Sequence, residues 1–425
     1  MADDILTLAD KLWRGEADLE GHHPVSGQNA GDLAEVQDGV AFLPSFANVS
    51  AFTTGDGLVL VDTGSALYAE AVHEQVRRWT SERLHTAVYS HGHIDHVFGV
   101  PVFEAESAAK GWPAPRVLAH EALPHRFDRY VLTAGYNGVI NARQFSLRSM
   151  QWPTEYRYPD ETYRDVLPVT VGGVAFELHH CRGETDDHTW TWFPEHKVVC
   201  CGDLFIWASP NAGNPQKVQR YAREWAAGLR EMVALGPEVL LPGHGVPVIG
   251  ADRVAQALTD TAELLDSLHD QTVALMNAGA RLDEILHTVR APDGLLEKPY
   301  LRPVYDDPEF VVRNVWRLYG GWYDGNPAHL KPAPEASLAA EVASLAGGVS
   351  VLADRAMALA DAGDLRLAGE LAELAALAAW DDAGVQRVRA EVNRRRTEAE
   401  PSTMAKGVFG WAARESSRLA EGGEG

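Results

Sequence analysis

The sequence predicts an α/β domain followed by an all-α domain. Short β-type runs, turns and stretches of helical spacing alternate between about residue 40 and residue 250. After Gly250 the composition changes, and apolar residues recur at helical spacing in Ala- and Leu-rich stretches. Because 425 residues exceed the usual size of one domain, we expect one domain over residues 1–250 and another over 251–400, with a C-terminal tail over 401–425.

The first domain opens with β-turn-α-β order. The apolar run over residues 57–61 ends in a polar turn at residues 62–64, which predicts a strand that finishes in a loop. Residues 69–79 carry apolar side chains three and four positions apart, as in a helix with one buried face. Residues 86–89 then predict a second strand.

A second β-rich stretch spans residues 167–205, with Gly172-Gly173 as a hairpin turn, and a further strand is expected at 239–241. Between the two halves, residues 111–161 are rich in Trp, Tyr, Arg and Pro without clear periodicity. This composition predicts an elaborated loop region over the site.

The remaining sequence is helical in pattern. Residues 252–290 predict one or two long helices with an apolar stripe, and residues 311–323 are aromatic and apolar. The Ala/Leu-rich stretch over 336–396 is interrupted by glycine-containing breaks, which predicts stacked helical hairpins.

Charge and cysteine content limit the partners and the compartment. The chain has 60 acidic residues against 37 Lys and Arg, a formal net charge of −23, which argues against nucleic acid and an anionic membrane surface as partners. A local basic pocket is still compatible with this charge. Only three cysteines are present, the start of the chain is acidic and polar, and no window approaches a membrane span. We therefore expect a cytoplasmic protein.

The most informative feature is the run His91-Gly92-His93-Ile94-Asp95-His96, which directly follows an apolar strand. Three imidazoles and one carboxylate in six residues supply four nitrogen and oxygen ligands from one tight loop. Such a loop can serve two adjacent ions, so the pattern predicts a dinuclear metal site.

Two ions need further ligands from other strand ends at the same edge. Three segments qualify, namely residues 182–188, Gly202-Asp203-Leu204 and Gly243-His244-Gly245, because each follows an apolar strand. Zinc is the expected metal, although iron and manganese accept the same nitrogen and oxygen ligands.

The His91–His96 run resembles the H-x-H-x-D-H signature of the metallo-β-lactamase fold, an αββα sandwich of dinuclear hydrolases. The resemblance implies that His91, His93 and Glu184 hold the first ion and that Asp95, His96 and His244 hold the second. It also implies that Asp203 bridges the two ions, and Asp95 and Asp203 are the carboxylates expected to take part in catalysis. Most members of the fold have a histidine where this chain has Glu184, whereas alkyl sulfatases of the fold use a glutamate.

The alkyl sulfatase resemblance extends beyond the metal ligands. Residues 312–328, which include Trp-Tyr-Asp-Gly-Asn-Pro, are similar to the segment that marks the helical dimerisation domain of those enzymes. The resemblance implies hydrolysis of a small anionic alkyl sulfate ester by a metal-bridging hydroxide, and a homodimer formed through the helical domain. The element by which such sulfatases grip sulfate is not recognisable, and residues 211–220 occupy its neighbourhood.

Four residues are candidates to bind an anionic head group, namely Tyr136, Asn137, Arg143 and Lys217, although each also suits a surface or packing position. Other ambiguities concern the ligands and their supports. Thr185, Asp186 and Asp187 are rivals of Glu184, and we expect His188 to support the ligands or the fold. Asp62 suits either a turn or a brace for the ligand loop.

Other functions fit parts of the same pattern. Members of the fold also hydrolyse lactones, carboxylic esters, thioesters and phosphoesters, so these substrates are alternatives. A non-catalytic dimeric metal-binding protein is an alternative of another class. An oxidoreductase of the di-iron type would be expected to carry a flavin domain, for which the sequence gives no sign.

Overall fold

A computed structural model describes residues 4–422 of the chain. The strands are β1 (Ala34–Gln37), β2 (Val40–Leu43), β3 (Val49–Thr54), β4 (Gly57–Val61), β5 (Leu84–Val88), β6 (Arg116–His120), β7 (Glu161–Tyr163), β8 (Val166–Val171), β9 (Val174–His180), β10 (Thr189–Phe193), β11 (Val198–Gly202), β12 (Val239–Pro242) and β13 (Val248–Ile249). The α-helices are α1 (Ile5–Trp13), α2 (Ala69–Trp79), α3 (Val100–Lys110), α4 (Leu123–Leu132), α5 (Ala134–Gln144), α6 (Ala222–Ala234), α7 (Ala251–Asn277), α8 (Leu282–Thr288), α9 (Pro308–Gly320), α10 (Pro327–Leu330), α11 (Glu335–Ala346), α12 (Val349–Asp361), α13 (Leu365–Ala378), α14 (Ala383–Ala399) and α15 (Thr403–Ala420).

The strands form two mixed sheets. The first has the order β1-β2-β3-β4-β5-β6-β7 and is antiparallel up to β4 and parallel from β4 to β7. The second has the order β13-β12-β11-β10-β9-β8, in which only the pair β11 and β12 is parallel. Parallel neighbours place their carboxyl ends at the same edge of a sheet, and this edge carries the site in both sheets.

Apolar side chains fill the space between the two sheets. Phe52 of the first sheet stacks on Phe193 of the second with ring centroids 3.6 Å apart, and both rings are fully buried. A second core lies between the first sheet and helices α2, α3 and α4, and a third packs α6 and α7 on the second sheet. The layers therefore follow the predicted αββα order, and this prediction is confirmed.

Contacts divide the chain into two compact units, and the division differs from the expected boundary at residue 250. The first unit runs to Ala134 and resumes over Pro153–Gly321, while the second comprises Gly135–Trp152 and the residues from Trp322 onward. Helices α7 to α9 belong to the first unit because their apolar faces extend the core that also covers the second sheet.

The second unit contains the predicted helical hairpins. Alanine side chains of α11, α12 and α13 are buried against one another, so the helices approach closely. Arg389 of α14 pairs with Glu373 of α13 at 2.7 Å and with Glu415 of α15 at 2.9 Å. The expected tail over 401–425 thus contains helix α15, and its last residues, 423–425, lie outside the described residues.

The prediction of a loop region over residues 111–161 is wrong, because β6, α4 and α5 lie within it. In α4, Leu123, Phe127 and Tyr130 are buried and follow the helical i, i+4, i+7 spacing. Arg126 is also buried on this helix, and such a charged residue obscures the apolar period in the sequence.

Among helices within residues 4–422, none has by itself the length and apolar composition needed to cross a bilayer. The pair α11 and α12 reaches that length and composition only jointly, across a bend of 87°.

Candidate metal centre

The candidate metal centre lies where strands of both sheets end. In the first sheet, β4 and β5 are followed by Asp62 and by the histidine-rich loop over residues 91–96. In the second sheet, the ends of β9, β11 and β12 precede Glu184, Asp203 and His244. The parallel pairs β4–β5 and β11–β12 bring these segments to one edge, where the side chains converge.

His91, His93, Glu184 and Asp203 form the first group, and each presents a ligand atom within 4.8 Å of the others. Oε2 of Glu184 lies 3.5 Å from Nε2 of His91 and 3.6 Å from Nδ1 of His93. The two imidazole nitrogens lie 2.7 Å apart. Ligand atoms around one tetrahedral zinc ion stand roughly 3.3 Å apart, so this spacing suits a single ion.

Asp95, His96 and His244 form the second group. Oδ2 of Asp95 lies 3.6 Å from Nε2 of His96 and 3.4 Å from Nε2 of His244. Nδ1 of His244 donates a hydrogen bond to the carbonyl oxygen of Phe46 at 2.6 Å. This bond fixes the tautomer of His244 and leaves its Nε2 electron pair directed at the centre.

Asp203 lies between the two groups. Its Oδ1 is 3.5 Å from Nε2 of His96, and its Oδ2 is 3.3 Å from Nε2 of His244 and 3.8 Å from Nε2 of His91. The side chain is buried. One carboxylate can therefore contact a ligand set on either side, which is the position that the family resemblance implies for Asp203.

The chemistry of these donors fits bound cations. Within residues 4–422, Nε2 of His96, Oε2 of Glu184 and Oδ1 of Asp203 are buried and have no hydrogen-bond partner. Buried polar atoms without partners are costly, and all three offer electron pairs to the same space. Burial raises the pKa of Glu184 to about 8 against the opposing charge of Arg220. Divalent ions would balance the negative charge of the crowded carboxylates, and the unpaired atoms would bind these ions.

Two residues behind the centre have a backbone conformation that non-glycine residues seldom adopt. Asp62 (φ 60°) and Trp207 (φ 55°) are both buried. Oδ1 of Asp62 accepts the backbone N–H of Ser90 at 2.7 Å, and Nε1 of Trp207 donates to the carbonyl of Val246 at 2.6 Å. Asp62 therefore acts as a brace for the ligand loop in addition to ending a strand, and Trp207 supports the turn that carries His244.

The remaining oxygen of Glu184 is held by two residues that the sequence did not single out. Asn211 donates from Nδ2 to Oε1 of Glu184, and Arg220 forms an ion pair with the same oxygen at 2.6 Å. Arg220 also donates to the backbone carbonyl of Glu184 at 3.0 Å. The signal available in the sequence was the polar, non-periodic character of the segment 211–220, and the structure buries residues 211–214 and Arg220.

His188 supports the centre without belonging to either group. Its Nε2 accepts the backbone N–H of Asp203 at 3.1 Å, and its ring stacks on His91 with centroids 4.8 Å apart. Burial lowers the pKa of His188 to about 3, so the ring is neutral. This arrangement agrees with the expected supporting role.

Of the four candidates to bind a head group, Lys217 lies in the first unit, near the centre. Its ammonium group interacts electrostatically with Asp95 and Glu184, while burial and the charge of Arg220 lower its pKa to about 7. Tyr305, which the sequence did not indicate, is buried within electrostatic reach of the same two carboxylates.

The other three candidates lie in the second unit on helix α5. Tyr136 is exposed, Asn137 is buried and its backbone carbonyl accepts Nδ2 of Asn141 at 2.8 Å, and the guanidinium of Arg143 lies over the ring of Trp411. Their part in substrate binding stays a prediction.

Family models match both parts of the chain. The model of the metallo-beta-lactamase superfamily matches residues 43–244, which include every proposed ligand. The model described as alkyl sulfatase dimerisation matches residues 281–418.

Several curated relatives match across both regions. A linear primary-alkylsulfatase from Pseudomonas sp. is 29% identical over 369 residues, which are 80% of this chain and 68% of the relative. An (R)-specific secondary-alkylsulfatase from Pseudomonas sp. is 28% identical over 76% of this chain and 53% of its own length. An alkyl/aryl-sulfatase from Saccharomyces cerevisiae is 25% identical over 82% of this chain and 57% of its own length. The chain thus spans between about half and two thirds of these relatives.

The solved structure of the stereoselective inverting sec-alkylsulfatase Pisa1 from Pseudomonas sp. has the same fold. It superposes with a TM-score of 0.82 at 24% sequence identity and covers 92% of this chain, which in turn covers 66% of Pisa1. The two family models and this structural likeness agree with the two-part architecture that the sequence predicts. The chain therefore has a metallo-beta-lactamase domain followed by an alkyl sulfatase dimerisation domain, and its similarity to the curated alkylsulfatases extends across both.

Proposed function

We propose that this protein is a dinuclear metal-dependent hydrolase of alkyl sulfate esters. The observation that carries the proposal is the position of Asp203 between two groups of ligands, each large enough for one ion. Two zinc ions, with iron or manganese as alternatives, would supply a bridging hydroxide nucleophile and a Lewis acid for the developing charge.

The residues around Glu184 suit an anionic ester. Arg220 pairs with Glu184 through Nη1. Its buried Nε has no hydrogen-bond partner in the described part of the chain. The amine of Lys217 lies in the same electrostatic environment, and a bound anion would favour its protonated form. These cations form a local basic site in a chain whose net charge of −23 would otherwise repel a sulfate monoester.

The choice of an alkyl sulfate rests on the relatives, which are described as primary, secondary and alkyl/aryl sulfatases.

We further propose a homodimer formed through the helical domain, because the alkyl sulfatase dimerisation model covers residues 281–418. A cytoplasmic location is proposed from the three cysteines, all of which are buried and unpaired.

Elemental analysis followed by a substrate panel tests the proposal. Protein purified without added metal should contain about two equivalents of a divalent transition metal. It should release sulfate from dodecyl sulfate or 2-octyl sulfate and be inactivated by exhaustive chelation. His93→Ala should abolish this release, with His179→Ala, a partly buried histidine outside the two groups, as the matched control.

The panel also contains a lactone, a carboxylic ester, a thioester and a phosphoester. Hydrolysis of one of these without sulfate release would refute the substrate assignment while leaving the metal centre intact. Two bound metals without turnover of any ester would favour the non-catalytic metal-binding protein. Full sulfatase activity after exhaustive chelation would refute the dinuclear mechanism.

A further inference from the structure

We infer that Asp187 is a positioning residue that holds the loop between His91 and His93 in the shape that presents both imidazoles to one ion. The inference rests on the proposed metal centre and adds a residue to it. Asp187 lies 95 residues from Gly92 in the sequence, and nothing in the ligand pattern indicates that the two are in contact.

The carboxylate of Asp187 joins the ligand loop to a buried cation. Its Oδ2 accepts the backbone N–H of Gly92 at 2.9 Å, and its Oδ1 accepts Nε of Arg126 at 2.6 Å. The side chains of Asp187 and Arg126 are 0% and 2% exposed, so water does not compete with either bond. A buried carboxylate with two charge-assisted bonds has a fixed orientation, and it fixes the peptide that it binds.

The same contact explains the glycine between the two histidines. A Cβ at residue 92 would lie 2.7 Å from Cδ of Arg126 and 3.2 Å from Oδ2 of Asp187. The φ of Gly92 is not in the left-handed region, so backbone conformation does not require glycine here. Glycine is required because the Asp187–Arg126 pair packs directly against the loop backbone.

Asp187 also links two sources of ligands for the same ion. It belongs to the loop between β9 and β10, which carries Glu184 three residues earlier. That loop therefore supplies one ligand of the first group and fixes the backbone between two others, His91 and His93. The second group has a different brace, Asp62, which binds His96 directly. Loss of Asp187 should consequently affect the first group more than the second.

Asp187→Asn tests this role, because the amide is of equal size but cannot accept from both Gly92 and Arg126. Asp186→Asn is the matched control, since Asp186 also pairs with Arg126 but its side chain is 40% exposed and makes no described bond to Gly92. Metal content is measured after dialysis against graded chelator concentrations. The visible spectrum of the cobalt-substituted protein reports the geometry of each ion.

We expect Asp187→Asn to bind one of the two ions tenfold to a hundredfold more weakly, the usual scale for a residue that orients metal ligands. The other ion should keep its affinity, and Asp186→Asn should keep both. Equal losses in the two variants would show that charge balance at Arg126 is responsible and would overturn the positioning role. Wild-type affinities and an unchanged cobalt spectrum in Asp187→Asn would also overturn it.

Gly92→Ala provides a second route if Asp187→Asn does not fold. The added methyl displaces the same contact while leaving both charges in place, so it should weaken the same ion, and unchanged binding would refute the inference. The wild-type metal content separates this result from the proposed function. A wild-type protein that binds no metal refutes both, whereas two tightly bound metals in every variant refute only the role of Asp187.

Discussion

Nδ1 of His96 donates a 2.7 Å hydrogen bond to Oδ2 of Asp62, and both side chains are buried. The same oxygen accepts the hydroxyl of Ser90 at 2.8 Å. Burial opposes protonation of His96, but the charges of Asp62, Asp203 and Asp95 outweigh it and raise the pKa of His96 well above its usual value. The bond to Asp62 keeps one proton on Nδ1, and an ion bound at Nε2 would take the place of the second proton.

Asp62→Asn should weaken binding of one ion by about tenfold to a hundredfold, because the amide is a poorer acceptor and no longer polarises the imidazole. Asparagine tolerates the left-handed backbone of residue 62, so this substitution tests the charge and not the fold. Metal analysis after chelator dialysis measures the effect, with Asp56→Asn as an exposed control. Unaltered retention of both ions would mean that Asp62 serves only the turn.

Glu184→Gln should reduce the metal content from two equivalents toward one. The amide has no negative charge and cannot both bind an ion and accept from Asn211 and Arg220. Glu177→Gln, on the preceding strand and partly exposed, is the matched control. The experiment is elemental analysis of protein purified in parallel, and two retained equivalents in Glu184→Gln would exclude this residue as a ligand.

Arg220→Met should lower kcat/KM for an alkyl sulfate by about tenfold to a hundredfold, as expected for the loss of one buried charge-assisted contact with the anion. Because Arg220 also holds Glu184 at 2.6 Å, metal content must be measured on the same sample. Loss of metal in parallel with activity would show that Arg220 acts only through Glu184. A raised KM at full metal occupancy would place it on the substrate.

Phe52→Ala should destabilise the first unit by about 3–5 kcal/mol, because it removes a fully buried ring that stacks on Phe193 between the two sheets. Urea unfolding followed by tryptophan fluorescence measures the change. Val166→Ala, at a side chain that is 51% exposed, should change stability by less than about 0.5 kcal/mol. A small effect of Phe52→Ala would show that the inter-sheet core can rearrange around the cavity.

Local sequence was sufficient for the features whose determinants are contiguous. The run over residues 91–96 gives four ligand candidates in one loop, and apolar runs locate strands β4, β5 and β12. The glutamate at 184 could be chosen from its neighbours only through the family resemblance, because several carboxylates in residues 184–187 have the same local character. The structure places Glu184 in the first group and Asp187 behind Gly92.

The sequence by itself determined the two-part architecture, the metal-binding loop and the strand ends that carry the other ligands, because these depend on hydrophobic periodicity and on residues adjacent in the chain. Tertiary structure decided which residues support those ligands. Arg220 and Asn211 bind Glu184 across 36 and 27 residues, and helix α7 joins the first unit because its apolar face completes a core there. Such pairings depend on the packing of distant segments in a buried space, and no local pattern specifies them.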